Sequence, residues 1–210
     1  MDFGGFTNED FDVFQIDGLE ARMDALKNTV RPKLEQLGDY FAPTLTALTE
    51  DEMFIHVAKH ARRTINPPKD TWVAFANNPR GYKMLPHFQI GLWNTHLFVW
   101  FAIIYEAPQK ETIGERFFKK AAKIHKEIPK EFSWSLDHIK PATLTHQSLT
   151  KSDLLAQFER LKTIKKAELL CGYTIDRDNV VGLSGMELLT QIDYVFNKVA
   201  PLYKMAQNIK

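Results

Sequence analysis

Two apolar runs joined by a short polar link constrain this chain more than anything else in it. They are Met84–Leu92 and His96–Tyr105, with Asn94-Thr95 between them. A two-residue Asn-Thr loop predicts a tight antiparallel hairpin, in which Gly91 faces Phe98 and Gln89 faces Trp100. Successive side chains on a strand point to opposite faces. One face then holds Phe88, Ile90, Leu92, Leu97, Val99, Phe101 and Ile103, and is apolar throughout. The other holds His87, Gln89, Gly91, Trp93, His96, Phe98, Trp100 and Ala102, a mixture of aromatic and polar groups. A slip of one residue between the strands changes the partners but leaves this sorting intact. Thr71–Ala76, followed by the turn-rich Asn77–Tyr82, supplies a third strand, so residues 71–105 read as a three-strand meander.

Helical periodicity surrounds the meander. Phe11–Ile16 alternates and predicts a first strand. Asp17 with Glu20 predicts a cap for a helix carrying Leu19, Met23, Leu26, Val30, Leu34 and Leu37, kinked or broken at Pro32. Phe41–Leu48 is a short apolar segment interrupted by Pro43. Thr49–Glu52 resembles a capping box that opens a helix running to Arg62-Arg63. Thr112–Ile128 predicts an amphipathic helix with Lys119, Lys120, Lys123 and Lys126 outward. Phe132–His138 and Glu168–Ile175 predict strands, and Asp176–Asn179 a turn. Thr150 and Ser184–Glu187 predict caps for two further helices, the last kinked at Pro201. Strands in both halves, helices between them and a central meander give an α+β fold with a mainly antiparallel sheet. No stretch has the composition of a linker, so a single domain over 1–210 is expected.

The formal net charge is +1, which disfavours a surface devoted to nucleic acid while leaving a local basic patch open. Cys171 is the single cysteine and has no intramolecular disulfide partner. Met1–Gly5 has neither a basic nor an apolar leader character, and Leu97–Tyr105 is far shorter than the about 20 residues of a membrane helix. A cytoplasmic protein without a membrane partner is the expectation.

The mixed hairpin face carries the strongest candidate chemistry. Trp93 and Trp100 offer flat surfaces for stacking, His87 and Gln89 offer polar edges, and Arg80 and Lys83 in the adjoining loop offer charge. His96 shares that face, and His138 and Lys140 lie at the end of a predicted strand. These residues fit a binding module for a small planar or anionic ligand, or for a nucleic-acid segment, provided helices do not cover the face. Two alternatives stand beside it. One is a phosphoester-type hydrolase using His87 with His96 or His138 as acid and base, and the other is a protein-interaction module without a ligand. His56 and His60 fall at i and i+4 of a predicted helix, but Val57 stands where a zinc-protease motif needs glutamate. No metal site is expected from the motifs, which leave any cofactor unknown.

The runs Arg80-Gly-Tyr-Lys-Met-Leu-Pro-His-Phe-Gln-Ile-Gly-Leu-Trp93 and Thr95-His-Leu-Phe-Val-Trp-Phe-Ala-Ile-Ile-Tyr-Glu106 resemble the signature of the YktB-like family of small Bacillus-type proteins. Phe11–Met23 and Ser135–Pro141 are similar to it as well. The resemblance implies a cytosolic α+β protein with no assigned activity, and it transfers no catalytic residues.

Overall fold

Alternation in the centre of the chain produces a seven-stranded sheet in which every neighbouring pair is antiparallel. A computed structural model of the chain describes residues 3–207. Helix α1 (Asn8–Asp12) and a 3-10 turn (Val13–Gln15) come first. Helix α2 (Leu19–Ala25), a π turn (Leu26–Val30) and helix α3 (Arg31–Thr49) then form one helical run. Strands β1 (Phe54–Val57), β2 (Asp70–Ala76), β3 (His87–Trp93) and β4 (His96–Ile103) follow as a meander. Next are α4 (Lys110–Lys119), α5 (Ala121–Glu127), β5 (Ser133–Ser135) and β6 (Leu144–Thr145). The chain ends with α6 (Lys151–Thr163), β7 (Leu169–Asp176), α7 (Arg177–Gly182) and α8 (Gly185–Gln207). In space the strand order is β1-β2-β3-β4-β7-β5-β6. Among the described residues no helix is long and apolar enough to cross a membrane.

The hairpin has the register that its turn implies, with Gly91 opposite Phe98 and Gln89 opposite Trp100. Its apolar face is fully buried and belongs to the main core. Helices α3 and α8 cover it with Leu34, Leu37, Phe41, Ile192, Phe196 and Tyr203. The Phe88 ring lies 5.6 Å from Phe196 and 5.3 Å from Tyr203. Each such side chain contributes about 1.5–3 kcal/mol by leaving water, which fixes where the two longest helices must lie. Further along, Phe117 of α4 meets Phe101 and Phe158 of α6.

Several local expectations are overturned by competing physics. Phe11–Ile16 is helical and 3-10 rather than a strand. The Thr7 N–H donates to the Asp10 carboxylate at 2.6 Å, and that fully buried carboxylate also pairs with Lys33 at 2.5 Å. A local cap thus outweighs the alternation. Gly18, not Asp17, is the N-cap of α2. Pro32 does not break the helix, because it sits in the first turn of α3 just after the π turn. Phe41–Leu48 continues α3, and Pro43 is carried on its exposed side. Thr49 ends a helix instead of starting one. Its hydroxyl donates to the Leu45 carbonyl at 2.7 Å, and Glu50 turns left-handed at φ 65°. His56 therefore lies on β1, and His60 on the loop after it with φ 50°, so no helix pairs them. The 112–128 helix is two, with a break at Lys120. The expected turn at 176–179 opens the short helix α7. The caps at Thr150 and Ser184 form as expected.

Two details brace the sheet from within. Trp100 lies opposite Gly172 on β7. A Cβ on Gly172 would stand 1.9 Å from the Val99 carbonyl oxygen and 2.9 Å from the Trp100 ring, so only glycine fits. His87, fully buried at the start of β3, is the second. The Leu85 carbonyl can only accept, so His87 Nδ1 carries the proton and donates to it at 2.7 Å. Nε2 must then accept, and it does so from the Gln89 amide at 2.9 Å.

Gly172→Ala is expected to cost about 3 kcal/mol, read as a lower urea midpoint with an unchanged slope; a loss within experimental error would mean that β4 and β7 do not approach so closely. His87 gives a pH signature. Burial drives its pKa down to about 4, against the opposing bond to Leu85, whereas an unfolded histidine titrates near 6.5. Between these values the unfolded chain binds a proton that the folded chain refuses. The His87 contribution is therefore complete above about pH 6.5 and lost as pH falls towards 4, a swing of about 3 kcal/mol. Urea unfolding near neutral pH and near pH 4.5 should show a flatter stability curve for His87→Gln than for the wild type, and equal slopes would refute it.

Candidate functional site

The mixed face of the sheet is not covered by helices. Register places Asp70 and Trp72 of β2, His87, Gln89, Gly91 and Trp93 of β3, and His96, Phe98, Trp100 and Ala102 of β4 on it. Leu170 and Gly172 of β7 and Ser133 and Ser135 of β5 extend it. Phe98, Trp100, Ala102 and Leu170 form a second, separate apolar cluster against which Trp72 and Trp93 pack. A shallow cleft that opens to solvent, with only about 20 Å³ of enclosed space, lies over this cluster. Every residue lining it comes from a strand or from the connection after β5, which contributes His138, Lys140, Pro141 and Thr143.

The aromatic floor is held in place. Phe98 and Trp100 stack with centroids 6.3 Å apart and planes 23° apart. The Phe98 ring lies over Gly91, where a Cβ would come within 2.3 Å of it. The Trp72 indole N–H donates to the Tyr82 hydroxyl at 2.9 Å, and His60 meets the Trp72 ring edge-on at 5.5 Å. Burial pushes the Tyr82 phenol up to about 12, outweighing the bond from Trp72, so it stays a neutral partner. Trp93 stacks on His96 at 6.4 Å, and Thr95 Oγ1 lies 2.8 Å from His96 Nδ1. Burial lowers the His96 pKa, with Asp176 pulling the other way.

Polar groups stand around that floor. Because Gln89 gives its amide N–H to His87, its carbonyl oxygen is the end left for the cleft. Asp70 lines the cleft at the start of β2; burial raises its pKa to about 6, against the pull of Arg63 and His138. His138 approaches from the other wall, its Nδ1 at 2.8 and 2.9 Å from the two oxygens of Glu168. Glu168 is almost fully buried, and it also accepts the backbone N–H of His138 at 2.8 Å and of Tyr105 at 3.3 Å. Burial works to raise the Glu168 carboxyl, but these three donors together bring it below the usual range.

Of the nine candidates read from the sequence, Gln89, Trp93, His96, Trp100, His138 and Lys140 line this one cleft. Arg80, Lys83 and His87 do not. Arg80 is exposed in the β2–β3 connection, Lys83 pairs with Glu106 at 3.4 Å, and His87 is sealed beneath Tyr82. The His87–His96 pair also fails. His87 is opposite Ala102 on β4, six residues from His96, which at strand rise is about 20 Å. Asp70 and Glu168 were the residues that the candidate set lacked. Their signal was alternation: Glu168, one residue before β7, has the same parity as Leu170 and Gly172 on the mixed face. Asp137, His138 and Glu168 could offer ligating atoms to a metal, all within 4.8 Å of one another. Asp137 is paired with Lys140 at 3.0 Å, and Glu168 is held by three donors, so these groups already satisfy one another.

Residues 6–203 match the family described as Domain of unknown function (DUF1054). The chain is 56% identical over 204 residues to a UPF0637 protein of Bacillus licheniformis, covering 97% of each. It is equally similar, 56% over 204 residues and 97% of each, to a UPF0637 protein of Bacillus velezensis. A UPF0637 protein of Bacillus mycoides is 49% identical over 200 residues, covering 95% of this chain and 96% of the relative. The hairpin motifs pointed to a Bacillus-type family without an assigned activity, and the relatives are of that kind. This chain, with its aromatic cleft on the helix-free sheet face, belongs to the DUF1054 family.

Proposed function

We propose that the protein is a binding module for a small planar ligand, held in the cleft on the mixed sheet face. The observation that carries this reading is the combination of Trp72, Trp93 and Trp100 with polar groups that the fold does not exhaust. An aromatic floor with a few fixed polar groups at its margin suits a flat, conjugated molecule, stacked on its face and read at its edge. Gln89 offers an acceptor, Asp70 a carboxyl and His138 an imidazole.

The charge distribution narrows the ligand. Arg80 and Lys83 lie away from the cleft, and Lys140, the basic residue in its lining, is paired with Asp137. Asp70 and Glu168 are acidic. A neutral ligand fits this field better than an anion. An extended nucleic acid would need a basic track for its phosphates. The lysines of α4 and α5 do not provide one beside the cleft, and Lys119 and Lys123 pair with Glu115 and Glu127 on their own helices.

Saturation-transfer NMR with indole, adenine and quinazolinone fragments tests the proposal. At least one fragment is expected to bind the wild type, and Trp72→Ala or Trp93→Ala should weaken it by roughly fivefold or more, the value of one aromatic stack. Absence of binding by all three, or affinity indifferent to both substitutions, overturns it.

A further inference from the structure

The second ring nitrogen of His138 takes no part in holding the fold together. Its first, Nδ1, faces the Glu168 carboxylate at 2.8 and 2.9 Å. That carboxylate can only accept, and it is fixed by the backbone N–H groups of His138 and Tyr105. Nδ1 must therefore carry a proton, and in the neutral ring Nε2 is left with its lone pair. Among the described residues Nε2 has no hydrogen-bond partner, and the ring is partly exposed in the cleft. Tyr105 stacks on the ring at 6.5 Å and 30°, fixing its plane. A buried carboxylate that orients an imidazole and leaves its outer nitrogen free in a cleft is the arrangement of a proton acceptor.

We propose that His138 and Glu168 form a proton-accepting dyad for the ligand of this cleft, and that the ligand is a planar cyclic amide or imide whose ring N–H meets His138 Nε2. Resting on the platform reading above, the proposal adds the ligand class. Glu168 acts through His138 and is a positioning residue. Asp70 lines the same cleft and makes no ion pair among the described residues. If the proton passes fully, the ligand N–H bond breaks as the Nε2–H bond forms. The imidazolium stays paired with Glu168, and no other reactant is consumed.

Two measurements decide this, using the whole chain. Long-range proton–nitrogen NMR above about pH 8 should show His138 as the Nδ1–H tautomer, and the Nε2–H tautomer would overturn the dyad. Titration with uracil and with 1,3-dimethyluracil, which lacks ring N–H groups, tests the ligand class. Uracil is expected to bind roughly tenfold or more tightly than its dimethyl analogue, the value of one strong hydrogen bond. His138→Phe and Glu168→Gln should each abolish that preference, and Glu168→Gln should also lower the unfolding midpoint because Glu168 holds His138 and Tyr105. Trp93→Ala should weaken both probes alike. Equal binding of the two probes by the wild type would overturn the dyad and leave the platform standing. Failure of uracil to bind, with indole or adenine still bound, would overturn the ligand class alone, and failure of every probe would remove the platform.

Discussion

A sheet with one wholly apolar face must hide that face, and this requirement governs the rest of the molecule. The apolar sides of β2, β3, β4 and β7 together present Phe75, Phe88, Phe101 and a field of aliphatic residues. Burial of each side chain is favourable by about 1.5–3 kcal/mol, far more than any single polar contact on the opposite side returns. The two longest helices, α3 and α8, are therefore committed to that face. The mixed face is left to strand connections, and a cleft forms where the connection after β5 stands clear of the sheet.

The same imbalance explains how the polar residues of the mixed face behave. They are buried or half-buried without helices above them, so they must satisfy one another. His87 takes its bonds from Leu85 and Gln89, Trp72 bonds Tyr82, and His138 bonds Glu168. Each pairing also fixes an orientation. The Leu85 carbonyl dictates the tautomer of His87, which dictates which end of Gln89 enters the cleft. A residue that looked like a catalytic base in the sequence is thus a support for its neighbour.

The hairpin was legible because its information is local: alternation sorts the faces, and a short loop sets the register. Six of the site residues came from that sorting and from the end of the strand that followed it. Loop residues were not legible in the same way, since adjacency in sequence gave Arg80 and Lys83 no direction. Glu168 matters through His138, a partner brought from the connection after β5, and only the folded arrangement reveals it. Capping patterns misled where two readings shared the same letters. Thr7 and Asp10 cap a helix that alternation had claimed as strand, whereas Thr49 bonds backwards to Leu45 and closes a helix it seemed to open.

The order β4-β7-β5 also bears on how the protein assembles. The aromatic floor comes from one uninterrupted stretch, with Trp72, Trp93 and Trp100 on strands that are consecutive along the chain. Such a meander draws on near neighbours and closes small loops. Glu168 and His138 arrive only with β7 and the segment after β5, from beyond α4 and α5, and β7 must slot between β4 and β5. Closing so long a loop is slow relative to hairpin formation. On contact order alone the greasy floor is expected to form before the imidazole wall, so that a nascent chain shows tryptophans to solvent until its second half docks.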